Sequence, residues 1–243
     1  MPEFLLLFAA KGIKLSLKHG NTSLSAYGYA SYGVILCSVL EDINAGYRFG
    51  QLALSVLLRF NAQELKAKVF MVFNSFIRHW QEHLRTTLKP LQEGYKSGLE
   101  TEDLEYAAYC VYVYCYHSYF VGKELAELTQ EIVSYGAAIA QLKQETALNY
   151  HKLYQQVILN LRFSSDPCHF FSKDDDEQKM LTLHLASNDR TAIFDIYFNK
   201  LIFYYLFNQP LEALENAVLA EQYLDGARAT ISVPLFHFYD SLV

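Results

Sequence analysis

An all-α fold is predicted by three features of the sequence: few helix breakers, apolar residues at helical spacing, and helix starts that recur at a roughly constant interval. The 243-residue chain contains only 11 Gly and 5 Pro. Elements in such a chain run long and uninterrupted, which favours helices over many short strands. Apolar residues make up 52%, with 19 Tyr and 17 Phe among the aromatics, so the chain is globular rather than disordered and can bury a sizeable core.

The opening MPEFLLLFAAKG has a short apolar run with no basic segment ahead of it, which argues against a secretory signal. His19-Gly20-Asn21-Thr22 reads as a polar break whose Asn and Thr cap the next helix. The stretch Gly20–Leu40 carries no charge but is filled with Tyr, Ser and Gly. It reads as a buried helix rather than a membrane span. Phe49, Leu52, Ala53, Val56, Leu57 and Phe60 mark one face of a further helix. Leu65, Val69, Val72, Phe73, Phe76, Ile77 and Trp80 mark another, expected from about Gln63 to Trp80. A turn near 80–83 precedes a helix from about His83 or Leu84 toward Gly98. VYVYCYHSYF at 111–120 is rich in β-formers. Thr101-Glu102-Asp103 before it nevertheless has the acids of a helix start, and 103–120 falls where the repeat requires a helix. Tyr106–Gly122, the second uncharged stretch, is therefore also read as a buried helix. SSDPCHFFSKDDDEQKM (164–180) breaks the rhythm with Pro167 and the acids Asp174–Glu177. It reads as an irregular acidic surface loop at about 163–178, followed by a short helix, and as solvated rather than cation-binding. Asn188 suits the N-cap of a helix over 189–207, Pro210 the first turn of the next, and Gly226 its end.

First helices of successive pairs begin near Thr22, Gln63, Thr101, Glu145 and Asn188. These starts are separated by about 40 residues, a period typical of two-helix repeats. The expected architecture is a tetratricopeptide-like solenoid of stacked antiparallel helix pairs, forming a single domain over residues 1–243. Gly33, Ala45 and Phe49 fall at the spacing of positions where paired helices approach closely. Tyr197, Tyr204, Ala213, Ala217 and Ala220 do so again. Larger side chains at the small positions would force the helices apart. The interval exceeds the usual 34 or so residues, so the repeats are extended and degenerate.

Net charge is −6 and no dense basic patch occurs, which argues against nucleic acid as a partner. Cys37, Cys110, Cys115 and Cys168 form no C-x-x-C pair. Three of them lie in apolar periodic stretches and read as reduced core residues, as in a cytosolic protein. Phosphate loops, kinase signatures, nucleophile elbows and dinucleotide fingerprints are all missing. Gly122-Lys123-Glu124 lacks both the upstream Gly and the hydroxyl of a phosphate loop. One motif stands out: HWQEH, which is His79-x-x-Glu82-His83. On one helix two histidines at i and i+4 can hold zinc, and the Glu can polarise a metal-bound water. The expected turn at 80–83 puts the two histidines on different helices, flanking a solvated corner. The expectation is accordingly no catalytic, cofactor-binding or metal-ligating residue. A zinc-dependent hydrolase using His79, Glu82 and His83 is the alternative.

Several phrases carry a family resemblance: KHGNTSLSAYGYASYG (18–33), FNSFIRHWQEHL (73–84), LKPLQEGYKSGLETEDLEYAAY (88–109), YHSYFVGKEL (116–125), NDRTAIF (188–194) and AEQYLDG (220–226). Together they resemble the helical middle region of very large bacterial signalling proteins. Those proteins join a serine/threonine kinase, an AAA-type P-loop ATPase, the helical region, a GAF domain and a sensor histidine kinase. The resemblance implies a non-catalytic, tetratricopeptide-like connector between ATPase and sensor domains in the cytoplasm. Its partners would be neighbouring domains of the parent protein or a peptide or protein ligand. Catalytic residues of that family lie in the flanking domains, so none maps onto this sequence. Both chain ends are apolar and uncapped, which fits a fragment of a longer chain and predicts a sticky isolated product. A free-standing adaptor is the further alternative.

Overall fold

The computed structural model describes the backbone of residues 2–164 and 174–243, and the side chains of residues 10–164 and 179–243. Among the described residues there are twelve α-helices and no strand. They are α1 (Pro2–His19), α2 (Ser25–Ser38), α3 (Ile43–Arg59), α4 (Lys66–Phe76), α5 (Leu88–Glu100), α6 (Leu104–Phe120), α7 (Leu125–Gln141), α8 (Glu145–Phe163), α9 (Asp174–Ala186), α10 (Arg190–Leu206), α11 (Pro210–Glu221) and α12 (Ser232–Asp240). The fold is all-α, as the composition and periodicity predict. All five expected first helices, α2, α4, α6, α8 and α10, start within three residues of their predicted positions, and α4 is led by a 3₁₀ turn at Gln63–Leu65.

What sets the helix lengths is a recurring turn. Left-handed backbone occurs at Gly20, Glu41, Asn61, Glu102, Gly122, Lys143, Asn188, Asn208 and Ala229. Neighbouring members of this series are mostly 20 or 21 positions apart, which is one helix plus one turn. A left-handed residue after a helix lets the next N–H reach back to an orphaned carbonyl. Ala62 N donates to Leu57 O at 3.1 Å, Asp189 N to His184 O at 2.9 Å and Gln209 N to Tyr204 O at 2.8 Å. The following residue is then the N-cap of the next helix. Asp42, Ala62, Asp103, Asp189 and Gln209 all take it with ψ between 65 and 80°. Asp42 accepts from Ala45 N at 2.9 Å and Asp189 from Ala192 N at 3.2 Å, each cap contributing about 1 kcal/mol. Two caps predicted from sequence are corrected here. Asn188 closes α9 in the left-handed conformation and Asp189 caps α10. At the first break Asn21 accepts from Tyr29 OH, and the residue before α2 is Leu24, which makes no side-chain cap bond.

The described residues gather into two compact units, Met1–Gly122 with Ala138–Ala147, and Lys123–Ala137 with Leu148–Val243. In the first unit α2 packs on α3 and α4, α4 on α5 and α6, and α5 on α6. Alternate helices therefore touch, as they do in stacked pairs. The α2–α3 contact rests on glycines. A Cβ on Gly33 would lie 2.9 Å from the Gly46 carbonyl oxygen, and one on Gly46 would lie 2.8 Å from that of Gly33. The close approach falls at Gly46 rather than at the predicted Ala45, which is half-buried. Phe49 packs instead on Tyr29 and Tyr32. Helix α6 is buried nearly all round, through Ala107, Cys110, Val111, Val113, Cys115 and Tyr116 among others. That burial overrides the strand propensity of VYVYCYHSYF.

The second unit is organised on α10, which packs against α9, α11, α12 and a 3₁₀ turn at Leu224–Ala227. Phe194, Phe198 and Phe203 are buried on α10, and Phe236 of α12 meets the first two. Each buried aromatic stabilises the unit by roughly 1.5–3 kcal/mol. Ala213, Ala217 and Ala220 are buried on α11, as their spacing predicted. Helix α11 stops at Glu221, short of the predicted Gly226. Gly226 lies in the 3₁₀ turn, where a Cβ would sit 2.6 Å from the Arg190 carbonyl. The acids Asp174–Glu177 open α9. Pro167 and Cys168 lie outside the described residues.

Candidate functional site

The HWQEH corner is where the turn rhythm fails. Left-handed residues at 20, 41 and 61 call for another near 82, and none occurs before Glu102. The predicted helix Gln63–Trp80 instead stops at Phe76. Two 3₁₀ turns follow, Arg78–Trp80 and Leu84–Thr87, and α5 begins at Leu88. A 3₁₀ turn holds fewer residues per revolution and its bonds are poorer, so side chains must complete the corner.

Each motif residue has a distinct structural role. His83 is exposed, and its Nδ1 accepts from Arg85 N at 3.1 Å, capping the second turn. Glu82 Oε1 accepts from Tyr47 OH of α3 at 2.7 Å. Its Oε2 takes both Nε and Nη2 of Arg78, at 2.9 and 2.8 Å. Burial works against the Glu82 charge, but the bonds from Arg78 and Tyr47 outweigh it and hold the carboxyl below its usual range. His79 departs from the expectation of a solvated corner. Both of its ring nitrogens are buried without a hydrogen-bond partner, and burial pushes its pKa down to about 3. Its ring lies 5.0 Å from the Trp80 ring and 6.4 Å from that of His117 on α6, centroid to centroid.

His117 completes the cluster. It is fully buried, with Nδ1 at 2.8 Å from Thr87 Oγ1. Thr87 spends its one hydroxyl proton on Leu84 O at 2.8 Å. The network therefore assigns the imidazole proton to Nδ1, donating to Thr87. His117 Nε2 is left buried without a partner. Burial, then the neighbouring His79, holds His117 well below the usual histidine range. His79 and His83 thus sit in separate turns, and Glu82 is committed to Arg78 and Tyr47. The shared helical face on which the zinc motif depends is not formed. Among the described residues no three His, Cys, Asp or Glu side chains cluster to hold a metal.

A second polar cluster lies in the core of the second unit. Tyr154 of α8 donates to Asp195 Oδ1 at 3.2 Å. Tyr150 donates to Asp189 Oδ1 at 3.1 Å, and His184 Nδ1 lies 3.2 Å from Asp189 Oδ2. Sequence reasoning assigned no role to His117, Thr87, Asp195, Tyr154 or Arg78. Two of them left a signal: Asp195 interrupts the apolar run AIFDIYF, and His117 sits within the uncharged stretch Tyr106–Gly122. At the surface, Leu24, Leu58 and Leu211 are 69%, 80% and 73% exposed. Leu214 and Val218 extend Leu211 into an exposed stripe along α11.

No family model matches the chain. Over 160 residues, 65% of its length, it is 26% identical to the hybrid signal transduction histidine kinase G of Dictyostelium discoideum. The matched stretch is 4% of that protein, so the chain spans a small part of the relative it resembles. Signal transduction is the context this distant likeness supports. No helix among the described residues is long and apolar enough to cross a membrane.

Proposed function

We propose that this chain is a non-catalytic helical-repeat connector of a multidomain signalling kinase, linking an ATPase domain to sensor domains in the cytoplasm. The observation that carries the reading is the likeness of 160 residues to a small stretch of a very long histidine kinase. The regular turns and the alternate-helix contacts of the first unit support a stacked-pair solenoid. The exposed apolar stripe of α11 supports contact with a neighbouring domain or a peptide. Such a connector works mechanically: it fixes the spacing of its neighbours and passes a change of state between them.

The test is made in the full-length gene product, with residues 1–243 replaced by a flexible linker. Histidine-kinase output is expected to stop responding to the nucleotide state of the ATPase domain. Output that responds as before overturns the reading. DNA sequence on both sides of the reading frame separates a connector from a free-standing adaptor. The zinc-hydrolase reading has no geometric support at HWQEH. It returns if stoichiometric zinc binds and is lost on changing either histidine, in His79→Ala or in His83→Ala.

A further inference from the structure

We propose that Asp195 is a proton-operated switch in the second unit: protonated, it fits its buried place on α10 one turn from Asn199, and ionised, it loosens the packing around that helix. This inference is independent of the connector reading.

Asp195 is 4% exposed, within the buried run Ala192–Ile196 of α10. The one hydrogen bond to its carboxyl among the described residues comes from Tyr154 OH, a neutral donor, at 3.2 Å. A buried carboxylate needs several donors or a cation to stay charged. The opposite need is present one turn on. Asn199, 1% exposed, gives its Nδ2 to the Asp195 carbonyl oxygen at 2.7 Å and leaves Oδ1 buried without a donor. Positions i and i+4 share a helix face. The protonated carboxyl has an O–H to give, and Asn199 Oδ1 is the acceptor in want of one. The neutral form of Asp195 therefore matches its surroundings, and the charged form does not.

The elements around it supply no compensating charge. From α8 come Tyr154, Tyr150 and His151, whose Nε2 lies 2.7 Å from Ile132 O. His184 of α9 is paired with Asp189. The buried face of α11 presents Ala213, Asn216, Ala217 and Ala220, while its Glu212 and Glu215 are exposed. Asp225 of the 3₁₀ turn is bound by exposed Arg190. On α12 Phe236 faces inward, and His237 and Asp240 are exposed. Burial first, with Asp189 adding and Tyr154 opposing, pushes the Asp195 carboxyl up to about 7 from 3.8. The folded pKa is raised, so the stabilisation is complete below the unfolded value and is lost as pH rises through about 7.

The test follows the protonated-carboxyl infrared band and urea unfolding of the whole chain from about pH 5 to about pH 9. Wild type, Asp195→Asn and Tyr154→Phe are compared. Asn keeps the shape and stays neutral. The band is expected to disappear in wild type with a midpoint near neutrality and to be missing in Asp195→Asn. Tyr154→Phe, which removes the donor, is expected to move the midpoint upward. The wild-type folding constant, relative to Asp195→Asn, should fall about tenfold per pH unit as pH rises toward 7. A carboxyl already ionised at about pH 5, or a ratio to Asp195→Asn that does not change with pH, overturns the proposal. Should Asp195→Asn fail to fold, the infrared midpoints of wild type and Tyr154→Phe decide it alone.

Discussion

The two units each bury an ionisable cluster, and they do so with opposite sign. In the first unit the groups are His79 and His117, imidazoles held neutral because burial disfavours the added proton. In the second the group is Asp195, a carboxyl held neutral because burial disfavours losing one. Desolvation acts on charge and not on its sign, so the same physical cause makes one unit acid-labile and the other base-labile. The clusters also differ in what they leave unpaired. The histidines strand acceptor and donor nitrogens, whereas Asp195 lies one turn from an acceptor that its own proton suits.

The largest effect expected from this contrast is acid unfolding of the first unit. The folded pKa of His79 is depressed, so its neutral form contributes full stability above about 6.5, and that stability is lost as pH falls through about 3. At about pH 4 this amounts to about 3 kcal/mol from His79 alone, with His117 adding in the same direction. Trp80, the one tryptophan, lies against His79, so its fluorescence reports the transition locally. His79→Phe breaks no hydrogen bond, because neither ring nitrogen has one. It is expected to leave neutral-pH stability unchanged or raised by about 1 kcal/mol and to flatten the acid limb. An acid limb as steep as that of wild type contradicts the assignment of the proton uptake to His79.

A smaller change separates hydrogen bonding from titration. Thr87→Val removes the acceptor for His117 Nδ1–H and strands a second ring nitrogen. Neutral-pH stability should drop by about 1–3 kcal/mol. The acid slope should stay close to that of wild type, because the number of protons taken up is unchanged. In the second unit Asn199→Leu removes the acceptor one turn from Asp195. The infrared midpoint of Asp195 should fall by about one pH unit, equivalent to about 1.4 kcal/mol. A midpoint that stays put means that burial acts alone there.

How much of this was legible in the sequence depends on the range of the interactions. Helix starts are set locally by caps and turns, so Gln63, Glu145 and the 103–120 helix could be read from the chain. The left-handed residue itself was harder to see, because Glu41, Glu102, Lys143 and Ala229 fill positions that Gly or Asn would advertise. Asn188 does advertise one, but Asn suits an N-cap equally well, and the sequence does not separate the two roles. The glycine contact of α2 with α3 lies one residue from the expected Ala45, because small residues adjoin there and only the helix phase distinguishes them. The clusters were illegible for a different reason. His79 meets His117 across 38 positions and Tyr154 meets Asp195 across 41, and no local pattern reports such partners. The zinc motif misled in the opposite sense, since its three residues adjoin in sequence but serve three different contacts.

The smallest effect tests that last point. Glu82 is the residue a hydrolase could not lose, and here it ties Arg78 to Tyr47 of α3 at the edge of the corner. Its carboxyl and its Arg78 partner are both about a quarter exposed, so solvent screens the pair and its worth is about 1 kcal/mol or less. Its folded pKa is depressed, so this stabilisation is present above the unfolded value of 4.5 and is lost as pH falls below it. Glu82→Gln keeps the shape and a single acceptor oxygen for Tyr47 or Arg78. It should cost less than about 1 kcal/mol in urea, with the difference shrinking as salt is added. Addition of zinc should stabilise neither wild type nor variant. A zinc-dependent gain in wild type that Glu82→Gln alters would show that the corner opens to bring His79, Glu82 and His83 onto one metal, and would return HWQEH to chemistry.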